Sequence, residues 1–348
     1  MKNIYEEQHS NKKGKVPSWI LSSREEEKLS IKEKNDYYEK LRAYCRTRKL
    51  ANTTIGATTI APMLKKVTGK ICTKLCRILA GGFVEVITDG LENIPNGAVI
   101  FASTHQGILD NFVWITDCPK HSLIFHSAET NKALLLAQLN TGLILVTKDK
   151  NNLANRINAK LDMISVLMKG HSVYICPETA WNLSPNRLHL PLNYGFLDVA
   201  RKTKVPVVPM VIEYTYDTAT DKERIVGVHI RYGKAIVVTE NDKLAEKLDE
   251  YKEIVSTIRW QLIEEKGFFL RREMLNDEYI NFMKGNLRNL KMGKINIDRE
   301  RMGIQGATQE FYVFHHINDV SWNEQGELLR TKEVERLKMI NVQNGIAY

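Results

Sequence analysis

The chain has 348 residues, 43% of them hydrophobic and 26% charged, with a formal net charge of +9. That length can bury a full core as one large domain or two smaller ones, and the positive balance favours an anionic partner such as nucleic acid, an acidic membrane surface or a phosphorylated ligand. Five cysteines (Cys45, Cys72, Cys76, Cys118, Cys176) form no CxxC pair and have no histidines at zinc-finger spacing. This argues against a disulfide framework or zinc finger and predicts buried or free thiols in a reducing compartment.

Residues 1–21 are polar and aperiodic, lack the apolar core of a signal peptide, and are expected to form a mobile arm. Ser22 and Ser23, followed by Glu25 and Glu26, open a capping box for a helix running to about Arg48, whose sparse apolar stripe predicts a largely solvated surface helix. Between Pro62 and Leu79, Leu64, Val67, Ile71, Leu75 and Ile78 fall on one helical stripe, and Lys66, Lys70, Lys74 and Arg77 on an adjacent one. Such a basic amphipathic helix suits either a membrane interface or packing on the domain with a solvated basic face. No apolar run approaches the roughly 18 to 20 residues needed to span a bilayer, so any membrane contact is expected to be peripheral.

From Phe83 onward strand and helix signals alternate. Candidate strands are Phe83 to Ile87, Ala98 to Ala102, Ser122 to Phe125, Leu143 to Thr147, Ser172 to Cys176 and Val205 to Glu213. Helical stretches fall at about Asn131 to Leu139, Leu153 to Lys169 and Tyr194 to Lys202. Short, nearly all-apolar strands between helices predict an α/β domain with a mixed, mostly parallel sheet covered by helices on both faces. Ile225 to Tyr232 and Ala235 to Thr239, separated by Gly233-Lys234, are expected to form a hairpin. Asp242 to Glu265 reads as a long outer helix. In the tail, Asn276 to Leu290 reads as helical, while Phe311 to Val313 and Val320 to Trp322 read as strands, with a turn before Leu328. The expected divisions are an arm over 1–21, N-terminal helices over 22–82, the α/β domain over 83–275 and a C-terminal extension over 276–348.

The stretch FASTHQGILD carries an apolar strand to His105, with Asp110 five residues on. On a regular helix that spacing turns the side chains roughly 140° apart, so a His–Asp pair requires a turn, which Gly107 permits. A carboxylate on one ring nitrogen would fix the tautomer and leave the other nitrogen as a general base. Three later stretches also end strands: TGLILVTKDK with Lys148 and Lys150, VYICPETAW with Glu178, and KVPVVPMVIE with Pro206 and Pro209. Ligands of open α/β sheets bind beyond the carboxyl ends of the strands, so His105, Asp110, Lys148 and Glu178 are expected to converge on one cleft.

These four blocks, in this order, resemble the lysophospholipid acyltransferase family, which includes the 1-acylglycerol-3-phosphate acyltransferases; the resemblance covers roughly Phe83 to Val238. His105 and Asp110 match the family's His-x4-Asp motif, and Gly142 to Lys148 is similar to its second block. Cys176-Pro177-Glu178-Thr179 is similar to Phe-Pro-Glu-Gly, and Val205 to Pro209 to Val-Pro-x-x-Pro. Lys148 stands where the family has an arginine, and the glycine and arginine of the third block are replaced, with Thr179, Ala180 and Trp181 after Glu178. The resemblance implies transfer of a fatty acyl group from an acyl thioester, acyl-CoA or acyl carrier protein, to a hydroxyl of a lysophospholipid, glycerol phosphate or related glycolipid or polyol. His105 would be the base and Asp110 its orienting partner, with oxyanion donors among backbone N–H groups around Gly107. Glu178 would bind acceptor hydroxyls and Lys148 an anionic group, with Thr179, Trp181 and Arg187 also at the substrate. No bound cofactor, metal or nucleic acid is expected, and the location is expected to be cytoplasmic, on the inner face of the cell membrane. The alternatives are a metal-dependent hydrolase using His105, Asp110 and Glu178 as ligands, and a non-catalytic membrane-associated binding protein of the same fold.

Overall fold

The computed structural model describes residues 16–63, 85–107, 109–127, 141–147, 149, 151–179, 182, 188–190, 192–217, 224–266, 320–322 and 328–330. The expected helices Asn131 to Leu139 and Asn276 to Leu290, the strand Phe311 to Val313 and the basic stripe from residue 64 onward lie outside them.

Seven strands form one sheet: β1 (Glu85–Asp89), β2 (Ile100–Ser103), β3 (Ser122–Ser127), β4 (Leu143–Val146), β5 (Ser172–Ile175), β6 (Val207–Asp217) and β7 (Arg224–Tyr232). Their spatial order is β1-β7-β6-β2-β5-β3-β4. All neighbours are parallel except β6 and β7. The sheet is therefore mixed and mostly parallel.

Alternation along β2 shows how both faces are covered. Ile100 and Ala102 join the core shared with α4 (Leu153–Met168), α5 (Gly195–Thr203) and α6 (Leu244–Lys266). Phe101 points the other way, 4.8 Å from Trp114 of α3 (Leu109–Asp117), and Trp114 stacks on Tyr174 of β5 at 4.5 Å. Both strand faces are buried, which is why these strands read as continuous apolar runs.

The N-terminal region departs from expectation in three ways. Residues 16–21, expected in a mobile arm, are packed: Val16 joins the core, Trp19 meets Tyr44 edge-on at 5.5 Å, and Leu21 N–H donates to the Tyr37 hydroxyl at 3.1 Å. The single helix expected from Ser22 to Arg48 is two, α1 (Ser23–Glu27) and α2 (Ile31–Thr47), because Ser30 and Glu33 form a second capping box that restarts the helix. The helix α2 is also docked rather than solvated, with Tyr38, Leu41, Arg42 and Cys45 buried. Arg48 pairs with the buried Asp162 of α4, and Asp162 accepts the N–H groups of Ala51 and Asn52 at 2.9 and 2.6 Å. From there residues 52–57 run along the outer edge of β4: Leu145 N–H donates to Asn52 C=O at 2.8 Å and Thr54 N–H to Leu143 C=O at 3.0 Å. That segment covers an edge which would otherwise present unpaired backbone groups.

The expected hairpin of Ile225 to Tyr232 with Ala235 to Thr239 does not form. The strand β7 lies between β6 and β1, so neither of its edges is free, and Ile236 instead bridges Val207. The antiparallel neighbour of β7 is β6. The outer helix expected at Asp242 to Glu265 is α6, and it too is docked, burying Tyr251, Val255, Ile258, Arg259 and Leu262. In the tail β8 (Val320–Trp322) and β9 (Leu328–Arg330) pair antiparallel in a two-stranded sheet of their own.

Candidate active site

The strands β2 and β5 are neighbours, registered Ile100 to Val173 and Ala102 to Ile175, so their carboxyl ends lie level. The loop after β2 carries His105, Gln106 and Gly107, and the loop after β5 carries Cys176, Pro177 and Glu178. Asp110 sits in the first turn of α3, which the Phe101–Trp114–Tyr174 stack holds over the sheet.

This arrangement closes the five-residue gap. His105 Nδ1 lies 2.8 Å from Asp110 Oδ2, and Gln106 and Gly107 donate their N–H groups to the same oxygen at 2.6 and 3.0 Å. Asp110 Oδ1 accepts the hydroxyl of Tyr214 on β6. Asp110 is fully buried, whereas the His105 side chain keeps 16% of its surface. An ionised carboxylate only accepts hydrogen bonds, so Nδ1 carries the proton and Nε2 is the basic nitrogen.

Glu178 holds the same loop from the other side. One carboxylate oxygen accepts His105 N–H at 2.5 Å and the other Leu190 N–H at 2.8 Å, while His105 C=O accepts Asn182 N–H at 2.6 Å. The backbone of His105 is thus gripped at both its polar groups.

Residues 85–213, from the start of β1 to Glu213 on β6, match the Acyltransferase family model, and the segment contains all of these groups except Tyr214, the next residue on β6. That segment is similar to acyltransferase domains. Among solved structures the chain is similar to the crystal structure of the 1-acyl-sn-glycerophosphate (LPA) acyltransferase PlsC from Thermotoga maritima. The identity is 20%, over 57% of this chain and 82% of that one, with a TM-score of 0.41. No curated protein matches the chain.

Within that segment three of the four residues expected to converge do so: His105, Asp110 and Glu178. Lys148 lies outside the described residues, as do Trp181 and Arg187. Two expected roles change. Glu178 is 1% exposed with both oxygens on backbone N–H groups, so it braces the His105 loop where it was expected to bind acceptor hydroxyls. Of the backbone N–H groups around Gly107, among which the oxyanion donors were expected, those of Gln106 and Gly107 are directed at Asp110. Gly107 does not adopt a left-handed φ, and a Cβ there would make only van der Waals contact with Tyr214, 3.4 Å from its hydroxyl oxygen.

The electrostatics follow from burial and partners. Burial pushes the Glu178 carboxyl up to about 7, against the opposing pull of the Leu190 and His105 N–H groups and the Arg259 charge. Burial alone would lower His105, but Cys176 and Asp110 outweigh it and hold the imidazole well above its usual 6.5. The Cys176 side chain interacts with the His105 ring from the position where the resembled family has phenylalanine. A higher pKa makes the imidazole a stronger base once it is neutral. Among the described residues no group of three His, Cys, Asp and Glu side chains is arranged to hold a metal ion.

Thr179, the residue after Glu178, is exposed with φ +58°, the left-handed region that glycine favours, at the position where the resembled motif has glycine. Sequence reasoning missed Tyr214, Gln106 and Arg259. Arg259 of α6 is 1% exposed and reaches Glu213 Oε2 at 2.7 Å and Gln106 Oε1 at 3.1 Å. The signal for it was Glu213 itself: a carboxylate ending the buried strand VVPMVIE requires a buried cation.

Proposed function

We propose that this acyltransferase moves a fatty acyl group from an acyl thioester, acyl-CoA or acyl carrier protein, to a hydroxyl of a glycerolipid-type acceptor. The acceptor class is a lysophospholipid, a glycerol phosphate or a related glycolipid or polyol. The observation that carries this reading is the His105 ring, bonded through Nδ1 to a buried carboxylate and still partly open to solvent.

A hydroxyl is a poor nucleophile at neutral pH until a positioned base takes its proton, an effect worth about 10²–10⁴ in rate. His105 Nε2 removes the proton as the acceptor oxygen attacks the thioester carbonyl. The tetrahedral intermediate then collapses, the C–S bond breaks, and the imidazolium returns the proton to the leaving thiolate. Asp110 keeps the tautomer and stabilises the transient imidazolium, while Tyr214 and Glu178 keep carboxylate and loop in place. The thioester is already activated, so the residues act without a bound cofactor. Lys148, Arg187, Thr179 and Trp181 complete the substrate site in this reading. Converting His105 to alanine is expected to cut CoA release from palmitoyl-CoA in the presence of lysophospholipids by about 10²–10⁴, with the unfolding transition unchanged. Near-wild-type turnover by a folded His105→Ala protein would overturn the mechanism. Mass spectrometry of lipids and glycans exposed to the active protein and to His105→Ala identifies the acceptor as the one species acylated only by the former.

We further propose peripheral attachment to an anionic membrane surface on the cytoplasmic side. Among the described residues no helix is long and apolar enough to cross a membrane. Ile55, Ile60 and Met63 are exposed immediately before the basic stripe of Lys66, Lys70 and Lys74, so apolar and cationic groups are adjacent in the chain.

A further inference from the structure

The strand β6 presents consecutive residues to opposite faces of the sheet, and at its carboxyl half both faces meet the catalytic turn. Tyr214, on the α3 side, donates to Asp110. Glu213, on the α6 side, accepts Arg259 Nε at 2.7 Å. The Arg259 guanidinium then divides its remaining donors between two loops: one terminal nitrogen bonds Gln106 Oε1 at 3.1 Å, the other the Leu188 carbonyl at 3.0 Å. Gln106 is the residue between His105 and Gly107, and its N–H holds Asp110 Oδ2. Leu188 is two residues from Leu190, whose N–H holds the Glu178 carboxylate that grips His105. Eight residues earlier on α6, the Tyr251 hydroxyl donates to Ala102 C=O at 3.1 Å, just before the catalytic loop leaves β2.

We propose that Arg259 is a positioning residue for acyl transfer, and that through it α6 sets the placement of the His105–Asp110 turn and the Glu178 brace together. The inference rests on the acyl-transfer reading given above. A planar guanidinium serves three acceptors in fixed directions from one buried position, whereas an ammonium is a point charge that can favour Glu213 but not span all three. Displacement of a reacting group by about 1 Å is enough to lower turnover about 10²-fold.

The test measures CoA release from palmitoyl-CoA with lysophospholipids, together with thermal unfolding, for Arg259→Lys, Gln106→Ala and the double variant. Arg259→Lys is expected to stay folded and lose about 10- to 100-fold in kcat, with both KM values within about threefold of wild type. Gln106→Ala removes the acceptor at the turn and leaves the Arg259–Glu213 pair intact. It is expected to lose kcat as well, and the double variant is expected to lose no more than the worse single one, because both act through one contact. Wild-type kcat in a folded Arg259→Lys protein, or losses that multiply in the double variant, would overturn the inference. Should Arg259→Lys fail to fold, Gln106→Ala alone decides it: unchanged kcat overturns the proposal, and lost kcat with unchanged KM values supports it. Failure of acyl transfer itself is read separately, from CoA release that does not depend on His105.

Discussion

Asp110 receives four donors, the His105 ring, the Gln106 and Gly107 amides and the Tyr214 hydroxyl, and they come from local and long-range constraints alike. The amides come from the turn and the ring from the residue before it, so a spacing that fails on a helix succeeds in a loop. Tyr214 lies 104 residues away and reaches Asp110 only through the sheet. Thr179 illustrates the opposite case, a residue whose backbone works against its side chain. A β-branched residue at φ +58° carries roughly 1–3 kcal/mol of strain. Glycine removes that strain but adds up to about 1 kcal/mol of unfolded-state entropy. Thr179→Gly is therefore expected to stabilise the protein by about 1 kcal/mol. Denaturant unfolding checks this, and a variant less stable than wild type would contradict the strain.

At the scale of elements, buried charge holds helices together where apolar stripes are thin. Lys202 of α5 pairs with Glu26 of α1 at 2.7 Å and with Asp198 one turn back at 2.8 Å, and Lys160 of α4 joins Asp198. The aliphatic content of α1 is too low to dock it, so this cluster fastens it to the domain. Although burial alone would raise the Asp198 carboxyl, Lys160 and Lys202 hold it well below its usual value. A carboxyl depressed in the folded state stabilises above its unfolded pKa of about 3.9 and loses that contribution as pH falls further. Asp198→Asn is expected to cost about 3–5 kcal/mol near pH 7, since it leaves buried lysines short of a partner. The difference from wild type should shrink below about pH 4 in urea titrations; a constant difference down to pH 2 would rule out the ionic origin.

At the scale of the whole molecule, a net charge of +9 becomes an orienting force if it is presented beside apolar groups. Exposed Ile55, Ile60 and Met63 precede the basic segment in the chain, on the N-terminal side of the α/β domain. Co-sedimentation with anionic phospholipid vesicles is expected at low salt, weakening as salt rises and falling further in an Ile55→Asp/Ile60→Asp double variant. Absence of sedimentation at low salt would dismiss the membrane contact.

The strands β2 to β6, the helices α4 and α5 and the His105–Asp110 pair were legible in the sequence because each follows from local pattern: short apolar runs, helical periodicity and a motif within six consecutive residues. Three judgements failed for lack of non-local information. The helix α2 looked solvated and α6 peripheral because charged residues are at least as numerous as apolar ones along them, yet Arg42, Arg48 and Arg259 are buried by partners far away in the chain. The second strand of the expected hairpin failed because β1 occupies the free edge of β7. Glu178 was recognised as a site residue but its work was not, since only the tertiary structure brings the His105 and Leu190 amides to its two oxygens. Local sequence determined which groups form the candidate site, because strand ends and turns are short-range. The parallel sheet decided what holds them, because its neighbouring strands and docked helix come from positions distant in the chain.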